Sequence, residues 1–196
     1  MLRGSCRIRG CIIIRRAILT TALASIISAC GKSDDTTVTP TETPPTPSNG
    51  KINAKLSEMG IELPEAKMAL ATYTPWRKIG NMVYIAGQAA GNKGVIGKKY
   101  NTQQGHAIAR EAAILVLSQL KAACDGDLDR VEQCIQLQGI VRCTNDFTEQ
   151  HLVINGASEF FQDVFGDSGL AARAAVGTNS LPMGDACEVI ATFEIT

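Results

Sequence analysis

Two residues of opposite charge, Arg173 and Glu188, flank a turn-forming segment near the C-terminal end of the chain. Arginine suits the binding of a carboxylate, and glutamate can act as a base. The turn signal is Leu181–Asp185, which contains a proline and a glycine. Alternating residues then predict a strand over 186–196. We therefore expect a hairpin in which the two charges share one sheet face, although an ordinary cross-strand ion pair is the plainer interpretation.

The cysteines and histidines indicate no further chemistry. Four of the seven cysteines lie in the part expected to fold, at Cys124, Cys134, Cys143 and Cys187. They lack the spacing of metal ligands, so no metal or cofactor site is predicted. They either form disulfides after export or are small buried residues, and the sequence leaves both open. His106 and His151 are expected at the surface, and the glycine-rich loop at 91–97 lacks the pattern of a lysine followed by a hydroxyl residue that marks a phosphate-binding loop.

The first fifty residues are predicted to be a targeting segment and a tether. Five arginines accompany an uncharged run over 17–29, which is too short for a membrane span of about twenty residues but is typical of a signal peptide. The run ends in a pattern that resembles a bacterial lipoprotein signal, with Cys30 as the lipidated residue. A plain secretory signal or an uncleaved anchor is the alternative. The predicted organisation is a signal over 1–29, a lipidated cysteine and disordered Thr/Pro-rich linker over 30–50, and a domain over 51–196.

These features predict an exported protein that a lipid anchor alone holds in the bacterial cell envelope. An aspartate directly after the lipidated cysteine would favour retention in the inner membrane. Gly31 stands at that position instead, which favours the outer membrane and a periplasmic domain. The formal charge of zero divides into six basic and three acidic residues over 1–50, and thirteen basic and sixteen acidic residues beyond. The mildly acidic domain is a poor candidate for binding nucleic acid, which depends on neutralised phosphates.

Beyond residue 50 the patterns predict an α+β fold of order ββαβαββ, preceded by a short helix. Strands are expected at 71–79, 82–86 and 135–143, long helices at 103–123 and up to Phe165, and the hairpin at the end. Asn101 or Thr102 should cap the first long helix, and Asp146 and Glu149 have the spacing of a capping box for the second. Both long helices should cover one sheet face. Some apolar positions fall on the other face, which indicates oligomerisation.

Several residues together resemble one known family. Their order and spacing carry the resemblance: Tyr73, Gly80–Asn81, Gly87–Gln88, Asn155, Arg173, Leu181–Pro182 and Glu188. The chain is similar over about 56–196 to the Rid or YjgF-like family of reactive-intermediate deaminases, also described as endoribonuclease L-PSP/chorismate-mutase-like proteins, and it resembles a divergent branch.

The resemblance implies a chorismate-mutase-like sandwich that assembles as a homotrimer around a central barrel-like core. Active sites would lie in the clefts between subunits, and the substrates would be 2-imino or enamine acids that are hydrolysed to 2-keto acids and ammonia. Arg173 would hold the substrate carboxylate, and Glu188 would position or activate water.

The resemblance also assigns roles to four other residues. Tyr73 would line the cleft from a neighbouring subunit, Gly87 would bring backbone close to the ligand, and Asn155 matches the family's helix asparagine. Ala175 stands where many members carry a cysteine, which puts the identity of the substrate in doubt.

Two functions remain open from the sequence. One is an imine or enamine deaminase that acts on small 2-imino acids. The other is a non-catalytic small-carboxylate-binding module of the cell envelope. A ribonuclease, which the family's older label suggests, is disfavoured by the acidic domain and by the lack of a histidine pair for acid–base chemistry.

Overall fold

The computed structural model describes residues Gly50 to Thr196, and the predicted mixed α+β fold is confirmed. The predicted signal peptide, Cys30 and the linker up to residue 49 lie outside the described residues. The elements are α1 (Lys51–Glu58), β1 (Trp76–Ile79), β2 (Met82–Gln88), α2 (Thr102–Ala123), β3 (Val131–Arg142), α3 (Gln150–Phe165), β4 (Ala172–Thr178) and β5 (Cys187–Ile195). The first strand is shorter than predicted, since the chain before it runs along α2, where Gln119 donates a hydrogen bond to the Lys67 carbonyl.

The five strands form one sheet in the order β1-β2-β5-β3-β4. β3 pairs in parallel with β4 and antiparallel with β5. The predicted hairpin is therefore wrong, because β3 separates the two strands that the hairpin would join.

Chain connectivity explains this arrangement. The sequence β3-α3-β4 is a crossover unit, and a helical crossover returns the chain parallel to the strand that it left. β4 therefore occupies the outer edge of β3, while β5 reaches its inner edge. The Leu181–Asp185 segment does turn the chain, with a short 3-10 helix at Pro182–Gly184, but it carries the chain past the end of β3.

The two long helices begin differently. Asn101 caps α2 in a full capping box: its side chain accepts from the Gln104 N–H at 2.8 Å, and the Gln104 side chain accepts from the Asn101 N–H at 3.0 Å. The capping box predicted for α3 is wrong. Glu149 is itself the N-cap residue and makes no capping hydrogen bond, because its carboxylate accepts from the Thr102 hydroxyl of α2 instead.

Both long helices pack on the same face of the sheet and against each other. The aromatic centre of the core is the pair Phe161 and Phe193, whose rings meet edge to face with centroids 5.4 Å apart. The helices approach closely at Gly156, where an added Cβ would overlap the His106 carbonyl oxygen. A glycine at this position therefore sets the distance between α2 and α3.

None of the helices in the described part of the chain covers the opposite face of the sheet, which exposes apolar side chains. Tyr84 alternates with the buried Val83 and Ile85, so it points away from the helices. Ile79, Tyr84 and Val176 expose 68%, 48% and 52% of their surface, respectively. We call this the free face. Within Gly50–Thr196, no helix combines the length and the apolar character needed to cross a membrane.

The four domain cysteines are buried free thiols. Burial raises the pKa of Cys124 to about 11 and that of Cys134 and Cys187 to about 12. Cys143 accepts a hydrogen bond from the Gln150 amide at 3.5 Å. Of the two alternatives that the sequence leaves open, the structure shows reduced, buried cysteines.

Gly156→Ala should lower the free energy of unfolding by about 1–3 kcal/mol, toward the upper end because the obstructing atom belongs to backbone. Chemical denaturation measures this change. Gln162→Ala, on an exposed position of the same helix, is the control and should stay within about 0.5 kcal/mol of the parent protein. Equal stability of Gly156→Ala and the parent would contradict the close helix contact.

The four buried thiols should resist alkylation in the native protein at pH 8, because burial keeps the reagent away from all four. The reactive species is the thiolate, and burial also keeps the thiols of Cys124, Cys134 and Cys187 protonated. Iodoacetamide labelling followed by peptide mass spectrometry measures this. Denaturant should make all four reactive. Peptides joined by a disulfide, or rapid labelling without denaturant, would contradict the structure.

Candidate functional site

Arg173 lies on the edge strand β4 and reaches over to α3. Its Nη1 donates to Asn155 Oδ1 and to Ser158 Oγ, both at 2.9 Å, and its Nη2 donates to the His151 carbonyl at 3.4 Å. Its strand position pairs with Leu137, which is buried against the helices, so Arg173 points to the helix side of the sheet. The side chain is thus held in one orientation by three acceptors of one helix.

All three acceptors of Arg173 are uncharged, and Arg173 has no ion pair within Gly50–Thr196. Neutral acceptors orient a guanidinium without neutralising its charge. Because the group is also exposed, it remains free to bind an anion. A planar guanidinium is best matched by a carboxylate or a phosphate.

Glu188 lies on β5 and packs against Gly87 of β2. A Cβ added at Gly87 would coincide with the Glu188 carboxylate, so glycine is needed for this close approach. The pairing of β2 with β5 shifts by one residue between Ile85 and Gln88, a bulge next to the contact. The side-chain amide of Gln88 donates hydrogen bonds to the carbonyls of Ala86 and Gly87, and therefore not to the neighbouring Glu188 carboxylate.

Glu188 is a half-buried acid without a hydrogen-bond donor in the described part of the chain. Burial raises the pKa of its carboxyl, and the negative charge of Asp185 raises it further. A carboxyl whose pKa is raised, and which no cation neutralises, suits acid–base chemistry.

Arg173 and Glu188 point to opposite faces of the sheet within one chain. Glu188 alternates with Cys187 and Val189, both fully buried on the helix side, so it points to the free face. Arg173 lies opposite Leu137 of β3, whereas Glu188 lies opposite Ile140, three residues further along the same strand. The two residues are thus two strand spacings apart, roughly 10 Å, and three residues apart along the strands, roughly another 10 Å. The expectation of a shared face is wrong for a single chain.

The other predicted site residues divide between these two places. Asn155 contacts Arg173, and Ala175 lies on the same side of β4, opposite Gly139. Tyr73 is exposed and lies just before β1. β1 and β4 are the two edge strands of the sheet, and four strand spacings, roughly 19 Å, separate them. One chain therefore gathers Arg173, Asn155 and Ala175 on one side and Gly87 with Glu188 on the other, while Tyr73 joins neither group.

Sequence reasoning missed Ser158 as a partner of Arg173. Its signal was available, because Asn155 and Ser158 are three residues apart and share one face of a helix. It also missed Asp185, which no periodic pattern marks as buried. Among residues 50–196, no three His, Cys, Asp or Glu side chains converge in a way that could hold a metal ion.

The comparisons with known proteins agree with this architecture. A profile of the family described as "YjgF/chorismate mutase-like, putative endoribonuclease" matches residues 53–195. The chain belongs to this family. A relative from Trypanosoma cruzi, protein TCP17, is 38% identical over 154 residues, which cover 75% of this chain and 96% of TCP17.

Two solved structures of family relatives are also similar. The Agrobacterium tumefaciens protein Atu1372, whose function is described as unknown, is 38% identical, with 74% of this chain and 92% of that chain covered and a TM-score of 0.69. A Shewanella oneidensis protein described as a "putative endoribonuclease" is 28% identical, with 74% and 100% covered and a TM-score of 0.72.

Glu188→Gln should stabilise the protein at neutral pH. A carboxyl whose pKa is higher in the folded state makes folding less favourable once it is ionised, and this cost disappears as pH falls below the pKa of the unfolded chain, about 4.3 for glutamate. Thermal unfolding should therefore give a higher Tm for Glu188→Gln at pH 7 and equal values near pH 3.5. Glu58→Gln, at an exposed position of α1, should leave Tm unchanged at both pH values. A lower Tm for Glu188→Gln at pH 7 would contradict an unpaired, destabilising carboxylate.

Proposed function

We propose that this protein hydrolyses small 2-imino acids to 2-keto acids and ammonia. The observation that carries the proposal is the state of Arg173, an exposed guanidinium oriented by three uncharged acceptors and left without an anion in the described part of the chain. The carboxylate of a 2-imino acid is a ligand of matching shape and charge.

The proposed site needs two copies of the chain. Arg173 and Glu188 cannot reach one small ligand within a single chain, because they point to opposite faces of the sheet. We infer a homotrimer in which the exposed apolar residues of the free face are buried, and in which each cleft combines Arg173 and Asn155 of one copy with Glu188 and Gly87 of another. Tyr73, exposed at the far edge of the sheet, would complete the wall of such a cleft.

The reaction needs one water molecule and no cofactor. Arg173 binds the substrate carboxylate and thereby fixes the neighbouring imine carbon. Glu188 accepts a proton from water as the water oxygen bonds to that carbon. Return of that proton to the imine nitrogen gives a carbinolamine, in which one carbon carries a hydroxyl and an amino group. Glu188 then takes the hydroxyl proton and delivers it to the amino nitrogen, so that the carbon–oxygen double bond forms as the carbon–nitrogen bond breaks, which releases ammonia and leaves the keto acid. Ala175 gives the pocket wall beside Arg173 a small apolar residue, so the wall would accept an apolar substrate side chain.

A second candidate is a carboxylate-binding module without catalysis. It is favoured by the completeness of the Arg173 cluster within one chain, which needs no contribution from Glu188 to bind an anion. In either case we propose that the protein is exported and held in the cell envelope by a lipid on Cys30, on the strength of the lipoprotein-like pattern that ends there.

Imine hydrolysis is tested by ammonia and keto-acid release from 2-iminobutanoate generated in situ. Arg173→Ala should lower kcat/KM by roughly 10–100-fold, since a charge-assisted hydrogen bond contributes about 1.5–3 kcal/mol. Glu188→Gln should lower kcat by roughly 100–10,000-fold, the usual range for loss of acid–base catalysis.

Lys55→Ala is the control, an exposed cation on α1, which packs on the helix side away from the free face, and should keep the parent rate. No acceleration by a folded trimer would exclude the hydrolase. Small carboxylates that then bind to both the parent and Glu188→Gln, but not to Arg173→Ala, would favour the binding module.

A further inference from the structure

Asp185 is a buried carboxylate with an unsatisfied oxygen. Only 8% of its surface is exposed, and its Oδ1 has no hydrogen-bond partner among the described residues. A buried polar atom left unpaired destabilises the folded state, and a charged group does so more strongly, so such atoms are rare and call for an explanation.

The backbone around Asp185 is fixed on both sides. Its N–H donates to the Pro182 carbonyl at 3.3 Å, and the next N–H, that of Ala186, donates to the Asn92 carbonyl at 3.0 Å. The carbonyl of Gly184 accepts from the Gly94 N–H at 3.1 Å. The backbone that carries the carboxylate is therefore held in place on both sides.

Neither of the two cations near Asp185 forms an ion pair with it among the described residues. Arg142, at the end of β3, donates through Nη1 to the Gly184 carbonyl at 2.8 Å and through Nε to the Asn179 carbonyl at 3.3 Å. Lys93 lies opposite Asp185 in the strand register, but within Gly50–Thr196 it forms no ion pair with it. The negative charge of Asp185 is therefore not cancelled by a direct partner.

Glu188 follows Asp185 by three residues on the same chain segment. The groups that face Glu188 from the neighbouring strands include no direct counter-ion. Gly87 and Gln88 of β2 are neutral, Ile140 of β3 is apolar, and Arg142, two residues beyond Ile140, is bound to the loop carbonyls. Burial is the main cause of the raised pKa of Glu188, and the nearby negative charge of Asp185 raises that pKa further.

We propose that Asp185 is a positioning residue for Glu188: a buried charge, held by backbone at the entry to β5, that sets the electrostatic environment in which Glu188 exchanges its proton. Asp185 touches no substrate in this proposal and acts only through Glu188. The unsatisfied oxygen is then the cost of keeping a charge that no donor neutralises. The catalytic meaning rests on the proposed function, whereas the electrostatic coupling does not.

The experiment is a carboxyl titration of Glu188 in the full-length protein labelled with [δ-13C]glutamate. The Glu188 signal is identified by its absence in Glu188→Gln. In Asp185→Asn, which keeps the shape and removes the charge, the midpoint of Glu188 should move to lower pH. Asp185→Ser serves the same purpose if the asparagine variant misfolds, and far-UV circular dichroism checks both.

Asp167→Asn is the control, an exposed acid beyond α3, and should leave the midpoint unchanged. A second measurement needs no variant: raising the salt concentration from about 0.05 M to about 0.5 M should barely move the midpoint in the parent protein, because a buried charge is screened far less than surface charges. An unmoved midpoint in both Asp185 variants, or a midpoint that falls with salt as far as in those variants, would overturn the proposal.

Activity separates this inference from the proposed function. If the protein hydrolyses imines, the acid limb of its rate–pH profile should move to lower pH in Asp185→Asn, whereas a merely structural defect would lower the rate without moving the limb. If the protein hydrolyses no imine but the Glu188 midpoint still moves, the coupling stands and the hydrolase proposal fails.

Discussion

The position of β3 between a parallel and an antiparallel neighbour is the constraint on which the functional geometry depends. Parallel pairing with β4 follows from the α3 crossover, and antiparallel pairing with β5 places that strand in the middle of the sheet. Since side chains alternate between the two faces, this register directs Arg173 toward α3 and Glu188 toward the free face. A one-residue change of register would reverse either assignment.

Two arginines of the domain form ion pairs with carboxylates of their own chain. Arg110 of α2 and Asp163 of α3 form an ion pair at 3.2 Å, and Arg130 and Asp125 form another at 3.2 Å. Arg173 differs from these two arginines, because three neutral acceptors of α3 hold its guanidinium instead of a carboxylate. This difference supports the proposed role of Arg173 in binding an anion.

Local elements were predictable because short-range chemistry decides them. The α2 helix, its Asn101 cap and the tight turn at Gly80–Asn81 follow from residues within a few positions of each other. The partner of β4 was not predictable in this way, since it depends on where α3 returns the chain. The α3 cap failed for a similar reason: Glu149 has the right spacing, but the Thr102 hydroxyl of another helix binds its carboxylate. The resemblance to a family supplied the site residues, whereas their division between two faces required the structure.

The central place of β5 has a consequence for how the chain is made. β5 is the most C-terminal of the five strands, yet it fills the gap between β2 and β3. Until it emerges from the ribosome, β2 and β3 each lack a neighbour, and their pairing with β5 must close loops of roughly 50 to 110 residues. The sheet is therefore completed only after β5 has been synthesised, and the nascent chain stays open in the middle of its sheet until that moment.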